Sequence, residues 1–174
     1  MRRNATKSVL YPLVALILFP AGIGLGNDFG GEAVLSWTAK QMNIVDHYEL
    51  RLPAIREVSK ETLQKMFIAG SLDAFKRWQS TYGQDRARQI LKKYLNDIVG
   101  MFDPQTQEIY VGQFLTPCRQ QAVLAHELVH FFQHQNVMAA AIEAYDPDAV
   151  NMIRELEAYQ IQRRFMAQNC GGPN

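Results

Sequence analysis

Apolar residues recur along this chain at two periods, and the switches between them mark out its elements. In "GEAVLSWTAKQM", Val34, Trp37 and Thr38 fall at helical spacing and predict a first helix. "YELRLPAIREVS" alternates in parts, at Tyr48, Leu50 and Leu52, and predicts a strand that Pro53 either breaks or confines to a sheet edge. Ser59 is placed to cap a helix through "KETLQKMFIA", with Gly70 ending it. "SLDAFKRWQS" and "QDRARQILKKYL" continue as helices, separated by a turn at Tyr82 and Gly83.

Period two returns in "DIVGMFDPQTQEIYVG". Runs from Ile98 to Phe102 and from Glu108 to Val111 bracket "DPQT", whose Asp-Pro opening suits a turn, so a hairpin is predicted. Thr116-Pro117 then supplies an N-cap and a first-turn proline for a helix through "AVLAHELVHFFQHQ". Asp146-Pro147 repeats the device for a last helix, "DAVNMIRELEAYQIQRRFMAQ", which Gly171-Gly172 ends. There is no internal repeat and no low-complexity linker. The expectation is one small α+β domain over residues 27–174 with a short antiparallel sheet.

Residues 1–26 follow another pattern. "MRRNATK" is basic, "VLYPLVALILF" apolar, and "PAGIGLGN" small and turn-prone, the layout of a secretory signal peptide. Cleavage beside Gly24 and Gly26 would start the mature chain near Asn27. The other reading is an uncleaved membrane anchor, although Pro12 and Pro20 interrupt a span already short for one. Either way a periplasmic or secreted location is expected, with any membrane attachment through this segment alone.

Composition changes this picture little. Of 174 residues, 48% are hydrophobic and 20% charged, as in an ordinary globular protein, and 174 residues suffice for one domain. The net charge is +1 without a long run of one sign, so no basic face marks nucleic acid as a partner. Export makes a disulfide between Cys118 and Cys170 plausible, with two buried thiols as the other reading. If their helices run antiparallel, the start of one lies near the end of the other and the sulfurs meet.

The chemistry concentrates in one helix, where three of the four histidines lie within nine residues. Leu124, Leu128, Phe131 and Phe132 cluster on one face, while His126 and His130 fall together far round from it. An i, i+4 pair sets two imidazoles one turn apart, where both can reach one metal ion, and Glu127 can address a metal-bound water without ligating. His134 lacks the spacing of a third ligand and is expected at the surface or behind the ligands. A catalytic zinc needs one more protein ligand, with Glu143, Glu155 and Glu157 as candidates. Glu155 and Glu157 differ by 200° on a helix. Glu157 shares its side with Val150, Ile153 and Ile161, and a carboxylate on an apolar face calls for a partner such as zinc. Glu157 is therefore the expected ligand.

The pair "HELVH" and "ELEAYQIQ" resembles the zincin metallopeptidases of the glutamate-ligand branch, the gluzincins, in which a second helix supplies a ligand Glu. The order of N-terminal segment, hairpin, "VLAHELVHFFQHQ" and "EAYQIQ" is also similar to small exported bacterial proteins with a metallopeptidase domain. The likeness covers roughly residues 98–168. It implies a zincin-like fold, one zinc ion on His126, His130 and Glu157, and hydrolysis of a peptide or protein substrate. Glu127 would be the general base that takes the proton of the zinc-bound water. Tyr159, Tyr110 and His134 are candidate oxyanion donors, Tyr159 being disfavoured because it points away from Glu157. The alternative is an exported zinc-binding accessory protein without turnover; an intact Glu127 favours the enzyme.

Overall fold

The structure, a computed structural model, describes residues 30–44, 52–135 and 147–171. The N-terminal segment, Tyr48, Leu50 and Glu143 lie outside the described residues. No helix among the described residues is long and apolar enough to cross a membrane.

Helix α1 (Gly31–Gln41) leads to strand β1 (Ala54–Val58) and then to α2 (Lys60–Gly70), α3 (Leu72–Tyr82) and α4 (Gln84–Asp97). Ser59 Oγ caps α2 by accepting the Thr62 N–H at 3.2 Å, as its residue type and position require. Between α3 and α4 the chain turns at Gly83, whose φ of 82° suits a residue without Cβ. The hairpin follows as β2 (Gly100–Asp103) and β3 (Glu108–Gly112). Asp103 organises its turn, one carboxylate oxygen accepting the Gln105 N–H at 2.9 Å and the other the Thr106 hydroxyl at 3.0 Å.

The sheet differs from the antiparallel one expected. Its order is β1-β3-β2, with β2 and β3 antiparallel but β1 parallel to β3, Ala54 opposite Glu108 and Val58 opposite Gly112. Three helices and β2 separate these two strands in sequence, and a connection of that length permits parallel pairing that a tight turn forbids.

Helix α5 (Pro117–Gln135) is the centre of the molecule. An unbroken run from Ala122 to Val129 is buried, because the sheet, α1 and helix α6 (Pro147–Asn169) pack around it. Ile109 and Val111 of β3, and Val34, Leu35 and Ala39 of α1, join Leu124 and Leu128 in one core. Ala158 and Ile161 of α6 pack with Val129, and Trp37 meets Phe165 edge-on at 5.0 Å. Truncating fully buried Leu124 or Leu128 to Ala would cost about 2–5 kcal/mol. Cys118 and Cys170 are joined, Cα atoms 5.7 Å apart, and tie the start of α5 to the end of α6.

Candidate metal centre

His126 and His130 stand one turn apart on α5 with Nε2 atoms 3.2 Å from each other. The carboxylate that meets them comes from α6 and belongs to Glu155. Its Oε2 lies 3.5 Å from His126 Nε2 and its Oε1 3.4 Å from His130 Nε2. One ligand atom from each of the three residues lies within 4.8 Å of the others, so the group could hold a metal ion.

Glu157, the ligand expected from helix periodicity, is not part of this group. It is exposed and accepts a hydrogen bond from Gln133 Nε2 at 2.9 Å. The expectation took Ile153 as an inward residue, yet Ile153 is 63% exposed. The inward stripe of α6 is Ala158, Ile161 and Phe165. Apolar residues occupy both sides of α6, so their spacing does not identify its buried face. Once the stripe is set by the docking on α5, Glu155 lies beside it and Glu157 turns outward.

Glu127 is buried between α5 and β2. Gly100 makes room for it: a Cβ there would sit 2.8 Å from Glu127 Oε1 and would also collide with Val123. The Phe102 backbone N–H donates to the Glu127 carboxylate. Burial pushes the Glu127 carboxyl above its usual range, against the opposing pull of His126 and His130. Glu155 also loses hydration, but His126 and His130 beside it outweigh that and hold its carboxyl well below the usual range. Burial lowers His130, while Glu155 and the Glu127 charge raise it further than burial lowers it.

The donor set fits a zinc ion. His130 Nδ1 is 3.0 Å from Gln133 Oε1, so Nε2 is the ring nitrogen turned to His126 and Glu155. Two imidazole Nε2 atoms 3.2 Å apart beside a carboxylate need a proton or a cation between them, and two imidazoles with one carboxylate are a zinc ligand set. His126 Nδ1 is buried without a hydrogen-bond partner among the described residues.

Of the expected oxyanion donors, the structure brings only Tyr159 to this group. Its ring meets His126 edge-on at 4.7 Å; the sequence disfavours it for lying away from Glu157, and the group's carboxylate is Glu155 instead. Tyr159 lies one turn beyond Glu155, so bringing Glu155 rather than Glu157 to the histidines also brings Tyr159 there. Burial, then the Glu155 charge, raises its hydroxyl pKa. Tyr110 donates instead to Glu108 at 2.5 Å, and His134 is exposed against the Phe102 ring. Gln133 went unnoticed in the sequence, although it follows His130 by three residues on the same helix.

A family model matches residues 53–159, from β1 through the hairpin and α5 to Tyr159 of α6. No curated protein and no solved structure matches the chain. The match spans more than half of the 174 residues and takes in His126, Glu127, His130 and Glu155, so the chain belongs to the Putative metallopeptidase family (DUF6782).

Proposed function

We propose that this protein is an exported zinc peptidase of the gluzincin kind, in which His126, His130 and Glu155 hold one zinc ion and Glu127 is the general base. The observation that carries the reading is the convergence of two imidazoles from α5 and a half-exposed carboxylate from α6, with the buried carboxylate of Glu127 beside them. Bound zinc would supply Lewis acidity, polarising the scissile carbonyl and lowering the pKa of the attacking water towards ~7.

The chain's own residues do the rest. Glu127 takes a proton from the attacking water on its carboxylate and passes it to the leaving amine. The Phe102 amide and the close face of Gly100 limit where the Glu127 carboxylate can go. Tyr159, whose ring lies against His126, is the residue assigned here as donor to the oxyanion. The Cys118–Cys170 bridge supports an oxidising compartment, in keeping with residues 1–26 as signal peptide or anchor.

The test is metal analysis of the purified protein beside a peptide-library cleavage assay with and without chelator. Stoichiometric zinc and chelator-sensitive cleavage are expected. Cleavage that survives full removal of metal would overturn the reading.

A further inference from the structure

One outer nitrogen of the metal group is held by a residue the mechanism above does not use. Gln133, buried on α5 one turn beyond His130, sets its Oε1 3.0 Å from His130 Nδ1. The other end of its amide turns to α6. There Nε2 donates to the Arg154 carbonyl oxygen at 3.3 Å and to Glu157 Oε2 at 2.9 Å. A peptide carbonyl and an ionised carboxylate have no proton to give. These two acceptors therefore decide which end of the Gln133 amide is nitrogen, a choice that partner chemistry must make. With the nitrogen committed to α6, only the carbonyl is left for His130, and His130 Nδ1 must carry the proton. A neutral imidazole protonated on Nδ1 has its lone pair on Nε2, the atom facing His126 and Glu155.

We propose that Gln133 is a positioning residue, oriented from α6 by Glu157 and the Arg154 carbonyl, that locks His130 in the Nδ1–H tautomer and points its Nε2 lone pair at the metal. The second half of this statement rests on the zinc reading; the tautomer lock does not, because it operates in the metal-free chain. His126 lacks such an acceptor among the described residues, so the lock acts on one ligand only. Glu157 thereby acts two hydrogen bonds out from the metal, and Gln133 links the two ligand-bearing helices through one amide.

The tautomer can be read directly in the full-length chain, stripped of metal and labelled with ¹⁵N-histidine, after a pH titration has brought His130 to its neutral form. Two-bond ¹⁵N–¹H correlations distinguish Nδ1–H from Nε2–H. Wild-type His130 is expected as Nδ1–H, and Q133M as a mixture of both forms. Zinc affinity, measured by competition with a chromophoric chelator, is expected to fall roughly 10–100-fold in Q133M, the usual cost of losing a partner behind a ligand. The double variant Q133E with E157Q reverses the polarity of the bond to α6 but keeps an acceptor at His130, so it should restore the tautomer and most of the affinity. A role in packing alone predicts that Q133M melts earlier while tautomer and affinity stay as they were, which would overturn the proposal. Should Q133M not fold, the wild-type spectrum and the double variant still decide. Nε2–H in the wild type with zinc uptake intact removes the lock and leaves the zinc reading. Nδ1–H with no zinc uptake removes the zinc reading and leaves the lock.

Discussion

Gly100 of β2 lies directly against Glu127 of α5: a Cβ at Gly100 would stand 2.8 Å from Glu127 Oε1 and 3.2 Å from its Cγ. The strand can approach this carboxylate so closely only because residue 100 has no side chain. Gly100→Ala is therefore expected to displace the Glu127 carboxylate while leaving His126, His130 and Glu155 in place. Turnover should fall by about 10²-fold, the scale of a 1 Å misplacement, with zinc content unchanged. Full activity in this variant would show that the base does not need its present position.

Glu127→Gln tests the base itself. The amide keeps the shape and removes the proton acceptor, so zinc should be retained and hydrolysis should fall ~10²–10⁴-fold. Metal analysis of the variant decides between roles, since loss of zinc would make Glu127 a ligand or a structural prop.

Glu155 and Glu157 can be separated by one comparison. Glu155→Ala removes the carboxylate 3.4–3.5 Å from both histidines and should weaken zinc binding by more than the roughly 10–100-fold that loss of an outer partner costs. Glu157→Ala should stay within that range. Equal or reversed effects in a chelator competition would return the ligand role to Glu157.

The Arg56–Glu108–Tyr110 chain on the sheet predicts the shape of the pH–stability curve. The Arg56 hydrogen bond, Nη2 to Glu108 Oε1 at 2.7 Å, holds the Glu108 carboxyl below its usual range. Its contribution is present above the unfolded pKa of ~4.3 and is lost as pH falls through the lower folded value. Because Arg56 is half exposed, that contribution stays within about 1 kcal/mol. Tyr110 behaves oppositely. Burial, then its bond to Glu108, pushes its hydroxyl up to about 12. Its contribution is complete below the unfolded value of ~10 and is lost as pH rises towards 12. Urea titrations of Y110F should lose part of the alkaline slope and, because the Tyr110 bond also lowers Glu108, a smaller part of the acid one. Identical curves for Y110F and wild type would refute the assignment.

The Cys118–Cys170 bridge joins the two helices that carry the metal group, across 52 residues of sequence. Reduction should lower stability by about 4 kcal/mol on the chain-entropy account. Zinc affinity should drop with it, because Glu155 is held against the histidines by the docking of α6 on α5. Reduced protein that melts earlier but binds zinc as before would confine the bridge to stability.

The HELVH helix, its proline start, the hairpin around Asp103 and the Ser59 cap were all legible in the sequence. Each depends on residues within a turn or two of one another, where propensity and hydrogen-bond geometry act locally. So does the pairing of His126 with His130, which i, i+4 spacing guarantees once the helix forms. The parallel placement of β1 on β3, the room Gly100 makes for Glu127 and the choice of Glu155 over Glu157 were not legible. Each is fixed by contacts between segments distant in sequence. For α6 the local signal misled, because Met152, Ile153 and Leu156 are apolar yet exposed, while Ala158, Ile161 and Phe165 form the buried stripe. Two glutamates 200° apart compete for one site, and only the rotation at which α6 docks on α5 decides between them. The sequence determined that a histidine pair and Glu127 would share a helix; tertiary packing determined which carboxylate completes the group and which one stands behind Gln133.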